Sequence, residues 1–410
     1  SSDVCSSDLP GLTGVFNLGE NISCHAWNAD RTQICFSKAD SIIYVYNVVG
    51  KNFKDWTKTA QLEEHSQIVT ALDWAPKSNR ILSCGHDRNA YVWTLEGTEW
   101  KPKLVILQIN RAATCAQWSP NELKFAVGSG SKTVAVCYYE EDNDWWVSRQ
   151  LKKHQSSVLS VNFHPENALI ATGCADNCLR IFSTWSKATD KVATRPMQGE
   201  TKAPFGTLLC EIPNAGWVHD VKWSADGTQL AWVAHDSTLN VLPWVLNAPA
   251  SDIAAPTTVK VPGLPFRTLL WLSATAIVAA GYDCSPFVFG RKNGNGGVWT
   301  MGKALDQADS EGGSSKSGGG GNVSSALAMF KSRDRVGGGG DGSSASKGPA
   351  DSPDVLPTKH QNCVTALEIY ARGSDGLSVE AFSSSGVDGR IVMWYTSDKE
   401  LAEELSKLSI

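Results

Sequence analysis

Methionine is scarce in this chain of 410 residues, numbering 4, and neither sign of charge dominates. Lys plus Arg count 37 against 42 Asp plus Glu, a formal net charge of −5. A protein that works on nucleic acid or on an anionic membrane surface carries a strong basic excess, so neither partner is expected. No apolar run reaches the roughly 18 residues of a transmembrane helix. The first residues lack the charged-then-apolar layout of a signal peptide and do not begin with Met. They carry a near-duplication instead, Ser1-Ser2-Asp3 and Ser6-Ser7-Asp8, and residues 1–9 are read as an artefactual extension outside the fold. A disulfide framework is missing too. The 11 Cys are odd in number, and Cys35, Cys84, Cys115 and Cys137 sit inside apolar strand-like runs, as reduced intracellular thiols do. The sequons at Asn21 and Asn322 are then read as chance.

What the chain has is tryptophan, 16 residues, and 36 glycines bunched rather than spread. Apolar residues make up 42%, enough for a substantial core. The Trp-rich, β-branched composition leans towards strands. Two anchors recur. An aromatic closes a β-like run at Trp27, Trp74, Trp118, Phe163, Trp223 and Trp271, at steps of 47, 44, 45, 60 and 48 residues. An Asp stands six residues before a large apolar residue in Asp40/Tyr46, Asp87/Trp93, Asp176/Phe182, Asp236/Leu242, Asp283/Phe289 and Asp388/Trp394. Short strands at a period near 45 mark the four-stranded blades of a propeller. Seven units result, so the fold class is all-β, a seven-bladed propeller over residues 10–410.

Within the repeat, His65, Ser83, Asp87 and Trp93 return as His360, Ser384, Asp388 and Trp394, and more loosely as His154, Thr172, Asp176 and Phe182. In WD40-type propellers such a set forms a buried hydrogen-bond chain. It is not a catalytic triad: a nucleophile is needed once, in a cleft, whereas this set recurs blade by blade. No other His/Asp/Glu cluster suggests chemistry, Cys174 and Cys178 lack matching His, and no enzyme activity, cofactor or metal is expected. After Trp394, Ser397-Asp398-Lys399-Glu400 reads as a capping box, with Leu401, Leu405 and Leu408 on one face of a helix over 397–408. The last blade must then borrow its outer strand, and the segment from Gly14 to Leu18 is the candidate.

Residues 290–358 differ in composition: 17 of the 36 Gly fall in 290–348. This span is expected to be a flexible insertion before the last blade. Its Gly runs do not match a phosphate loop. Between them, Val323, Leu327 and Phe330 share one helical face, followed by the basic Lys331, Arg333 and Arg335. From spacing alone this short amphipathic helix docks on its own propeller or on a partner's groove, or is a chance pattern.

The segments Ile22-Ser23-Cys24-His25-Ala26-Trp27, Asp87 to Leu95, Trp100-Lys101-Pro102, Ile109 to Ala113, Lys124 to Ser131, Asn143 to Val147, Gly216-Trp217-Val218-His219 and His235 to Thr238 carry a resemblance. The chain resembles subunit 1 of the actin-related protein 2/3 complex, from Asn21 on. That resemblance implies a non-catalytic scaffold and regulatory subunit supporting actin filament nucleation and branching in the cytoplasm, on the actin cytoskeleton. It implies as partners the actin-related proteins and other subunits of the complex, the actin filament, and the acidic tails of nucleation-promoting factors. Partner-binding residues would then include Val323, Leu327, Phe330, Lys331 and Arg333, and the basic loop positions Arg88, Lys101, Lys103, Arg111, Lys152 and Lys153 are candidates for an acidic tail. The insertion is more Gly-rich than the family's. The alternative is a WD40 adaptor of another assembly, a coat or a ubiquitin-ligase receptor.

Overall fold

The computed structural model describes residues 14–50, 53–190, 196–198, 201–248, 253–291, 297–306 and 356–409. Seven four-stranded antiparallel sheets follow one another around a central channel. Blade 1 comprises Cys24–Trp27, Gln33–Ser37, Ile43–Asn47 and Thr57–Leu62, strands a to d from the channel outwards. Blades 2 and 3 start at Val69–Ala75 and Ala113–Trp118, blades 4 to 6 at Val158–Phe163, Val218–Trp223 and Phe266–Ser273, and blade 7 at Val364–Arg372. The d–a connections and b–c turns lie on one face of the ring. The a–b and c–d turns lie on the other.

The inner-strand anchors Trp27, Trp74, Trp118, Phe163, Trp223 and Trp271 are all buried. The high Trp count has a packing reason. Anchors meet a second Trp edge-on: Trp74 with Trp100 at 5.7 Å, Trp118 with Trp146 at 5.7 Å, and Trp271 with Trp299 at 5.8 Å between ring centroids. Each such pair contributes about 0.5–1.5 kcal/mol beyond its area burial.

Side chains also staple blade to blade. The Asp73 carboxylate accepts the Trp118 N–H at 2.7 Å, Gln117 Oε1 that of Phe163 at 2.9 Å, and Asn162 Oδ1 that of Trp223 at 2.7 Å. All three acceptors directly precede an anchor.

Val15–Asn17 supplies the outer strand of blade 7, with Val15 opposite Val392 and Asn17 opposite Arg390. Phe16 is buried against Trp56, so the borrowed strand also carries core. The insertion boundary needs correction. The third strand of blade 6 runs Phe287–Arg291 and its outer strand is Trp299–Ala304, both inside or overlapping the 290–358 span. Gly-rich composition masked a strand held by the burial of Trp299 and Ala304. The C-terminal helix, Lys399–Ser409, seats Leu401 and Leu408. A Cβ at Gly290 would come within 2.3 Å of the Leu408 Cβ, so glycine there is what lets the helix lie against blade 6.

Candidate interaction surfaces

The expected hydrogen-bond chains form in blades 2 and 7. His65 Nδ1 meets Asp87 at 2.9 Å and Nε2 meets Ser83 Oγ at 2.9 Å, while Trp93 Nε1 donates to the same Oγ at 2.9 Å. Blade 7 repeats this: His360 to Asp388 at 3.1 Å and to Ser384 at 2.7 Å, with Trp394 Nε1 on Ser384 at 2.8 Å. The Trp N–H is thus satisfied by Ser. Asp388 is held below the usual carboxylate range although burial opposes this, because His360 and the N–H groups of Gln361 and Arg390 outweigh it. In blade 4 the chain stops halfway. His154 Nε2 reaches Thr172 at 3.0 Å, but Asp176 instead pairs with Arg180 at 2.7 Å, and His154 Nδ1 has no hydrogen-bond partner among the described residues. Arg180, the third residue of the strand Cys178–Ser183 that follows the turn, captures the carboxylate and also engages Glu211.

These sets sit inside blades and leave no open nucleophile. Among the described residues, no group of three or more His, Cys, Asp or Glu could hold a metal ion. The ten described cysteines are unpaired, and burial pushes Cys24, Cys115 and Cys137 up to about 12. No helix of the described residues is long and apolar enough to cross a membrane.

The surfaces are at the channel mouths. On the d–a face a cavity of about 620 Å³ opens between Ile68, His86, Trp217, His219, Arg267 and Tyr282. Three of these are exposed apolar or aromatic side chains: Trp217 at 50%, Ile68 at 39% and Tyr282 at 39%. Trp217 stacks on His235 at 5.3 Å, and His235 Nδ1 lies 2.9 Å from His219 Nε2. Burial, His235 and Arg267 together hold His219 down at about 4, so it is neutral at pH 7. Arg88, Arg111, Lys152 and Lys153 belong to the b–c turns and d–a connections of this face. Lys101 and Lys103 do not. They lie on the outer strand of blade 2, paired with Glu99 and with Asp144, the latter at 2.7 Å.

A second cavity, about 340 Å³, opens on the opposite face beside Arg31, Pro76, Ala225 and Arg372. Asp73, Gln117, Lys222, Leu367 and Glu368 line both cavities and form the wall between them. Sequence reasoning missed Lys222 and Glu368. The signal was available: in blades 2 and 5 a charged residue, Asp73 or Lys222, stands directly before the inner-strand anchor, and Glu368 stands in the inner strand of blade 7, where an apolar strand has no other use for it.

The sequence-derived docking residues Val323, Leu327, Phe330, Lys331 and Arg333 lie outside the described residues.

Seven four-stranded blades closed by an N-terminal strand, with His–Ser–Asp–Trp chains inside them, define a WD40 β-propeller. The family described as WD domain, G-beta repeat matches residues 56–94 and 145–183. Over most of its length the chain is similar to named proteins. It is 40% identical to actin-related protein 2/3 complex subunit 1A-A of Xenopus laevis over 92% of this chain and 94% of that one. It is 40% identical to subunit 1 of Schizosaccharomyces pombe, over 90% and 95%, and 36% identical to subunit 1 of Saccharomyces cerevisiae, over 88% and 93%. The chain belongs to the actin-related protein 2/3 complex subunit 1 family.

Proposed function

We propose that this chain is the propeller subunit of an actin-related protein 2/3 complex, a non-catalytic scaffold acting in the cytoplasm on the actin cytoskeleton. Its partners are the two actin-related proteins, the other subunits and the actin filament. The observation that carries the reading is the extent of the likeness, 40% identity across 92% of the chain, to proteins bearing that subunit's name. A propeller suits the role because its rigid ring offers two faces and a rim to several partners at once.

Two finer roles belong to the same proposal. The segment bearing Val323, Leu327, Phe330, Lys331 and Arg333 docks on a partner, the filament side or a neighbouring actin fold. Burying three such side chains yields about 1.5–3 kcal/mol each. Ordering some ten tethered residues costs about 1–2 kcal/mol apiece. The ordering cost exceeds the burial gain, so the segment does not bind alone and acts only in an assembled complex, where other contacts already hold it near its target. The double variant Leu327→Asp, Phe330→Ala in intact complex keeps assembly and melting but lowers branch number. If it destabilises the isolated chain, the segment packs on its own ring.

The acidic tail of a nucleation-promoting factor is received on the d–a face, where Trp217 and Tyr282 give stacking surface and Arg88, Arg111, Lys152, Lys153 and Arg267 give charge. Its binding weakens as salt rises, as screened attraction does. Salt-independent binding contradicts this placement.

A further inference from the structure

The inner strands of blades 2 to 7 share a β-bulge at their second residue: Thr70, Thr114, Leu159, His219, Arg267 and Thr365. A bulge takes its residue out of the ladder and re-aims the side chain, and all six line the d–a mouth. In blades 2, 3 and 7 the residue is a threonine whose hydroxyl donates to a carbonyl of the next blade. Thr70 reaches Ala113 at 3.0 Å, Thr114 reaches Val158 at 2.5 Å and Thr365 reaches Ile22 at 3.1 Å. Blades 5 and 6 give up that staple. His219 turns to its own blade, its Nε2 2.9 Å from His235 Nδ1, and among the described residues its Nδ1 has no hydrogen-bond partner. Arg267 is exposed, bonds the Cys363 thiol, a weak acceptor, and pairs with no carboxylate among the described residues.

Trp217 is fixed beside them. Its carbonyl accepts the His235 N–H at 2.9 Å while its ring stacks on the His235 ring. A Cβ at Gly216 would come within 2.7 Å of the Asp236 nitrogen, so glycine is what lets the two segments close. The neighbouring carboxylates are committed to the fold. Asp220 accepts from Ser160, Thr268 and the Leu269 N–H, Asp236 from Thr238, and Asp283 from the Leu264 N–H. His86 faces the cluster from across the mouth. Between His219 and His235 one nitrogen donates and the other accepts, so the neutral pair has a single bridging proton and one further proton makes it a cation. Burial, then His235 and Arg267, keep that further proton off His219, against the pull of Asp220. A carboxylate arriving from outside shifts this balance towards the charged form.

We propose that one carboxylate of the acidic tail seats between His219 and Arg267, and that the His219–His235 pair takes up a proton as it does so, which makes tail binding strengthen with acidity. This rests on the tail landing on the d–a face, as proposed above. The coupling is reciprocal: a carboxylate close to His219 raises its affinity for a proton, and the proton raises the affinity for the carboxylate by the same factor. Arg267 stays charged throughout and supplies the part of the binding that does not depend on pH. An acidic segment fits this mouth better than a basic one. Arg267 and the two histidines stand at the opening, while Asp73 and Glu368 belong to the wall between the two cavities.

The test is fluorescence anisotropy of a labelled acidic tail peptide from a nucleation-promoting factor, titrated with the full chain from pH 8 to pH 6 at constant ionic strength. The expected result is an affinity that rises about fourfold to tenfold over that range, in which the peptide's own carboxylates stay ionised. His219→Gln and His235→Gln flatten the rise, whatever binding they leave at pH 8, and Arg267→Ser weakens binding throughout. Should His219→Gln fail to fold, the exposed His235→Gln still decides. Trp217→Ala separates the two claims. Binding that is lost in Trp217→Ala but level with pH in the parent keeps the tail on this face and overturns the proton coupling. Binding untouched by Trp217→Ala removes the tail from this face and the proposal with it. A rise that is equal in the parent and in His235→Gln comes from other groups and also overturns the proposal.

Discussion

His25 Nε2 lies 2.8 Å from the Oγ of Ser383, a residue 358 positions later in the chain. The same hydroxyl accepts the Trp27 indole N–H at 2.9 Å, and His25 Nδ1 meets Ser385 Oγ at 2.9 Å. This cluster bonds the first blade to the last, beside the place where Val15–Asn17 completes blade 7. Ring closure therefore has a polar lock as well as a borrowed strand.

The lock predicts acid sensitivity. Burial, with a smaller push from His360, holds His25 down at about 3, against the ordinary 6.5. Its folded pKa is below its unfolded value, so the unfolded state binds the extra proton first. Stability from this group is intact above about pH 6.5 and is lost as pH falls towards 3, on the order of 3 kcal/mol by pH 4. His154, held at about 4 by burial and Arg180, adds to the same limb. Melting temperature measured from pH 7 to pH 4 should fall steeply, and less so in His25→Gln.

The hydrogen-bond chains inside blades 2 and 7 predict a second pair of effects. Asp87→Ala leaves His65 Nδ1 and the Ser66 N–H without their carboxylate acceptor, and Asp388→Ala does the same to His360 and Gln361. Each should cost about 1–3 kcal/mol. The two sites share no partner, so denaturant titration of the double variant should show near-additive losses. Variants that melt like the parent would refute the structural role.

Glu368 predicts the opposite pH dependence. Its folded pKa, about 8, is above its unfolded value near 4.5, so its contribution is intact below pH 4.5 and is lost as pH rises through 8. Glu368→Gln should therefore melt higher than the parent at pH 9, by an amount on the order of 2 kcal/mol, and differ little at pH 5. Equal melting at pH 9 would mean the carboxyl is well hydrated in the channel.

Much of the ring was legible because its period is written in bulky residues. Trp74, Asp87 and Trp93 repeat at fixed offsets, and packing allows few substitutes for an indole with a hydrogen bond. The N-terminal closing strand was legible because a blade ending in a helix needs an outer strand from elsewhere. The outer strand of blade 6 was not, since Trp299 to Ala304 is embedded in Gly-rich sequence and composition averages over it. Nor was the failure of the blade 4 chain: Asp176 keeps its spacing, and only three-dimensional proximity shows that Arg180 takes it. The channel wall was illegible for a different reason. Asp73, Lys222 and Glu368 lie far apart in sequence and are brought together only by closing the ring.

The central claim is that this propeller works as the scaffold of an actin-related protein 2/3 complex, and affinity capture of the tagged full-length chain from its own cytosol tests it most directly. The account predicts stoichiometric recovery of two actin-related proteins together with the remaining subunits of the complex. Recovery of coat or ubiquitin-ligase components instead, with no actin-related protein present, would contradict it.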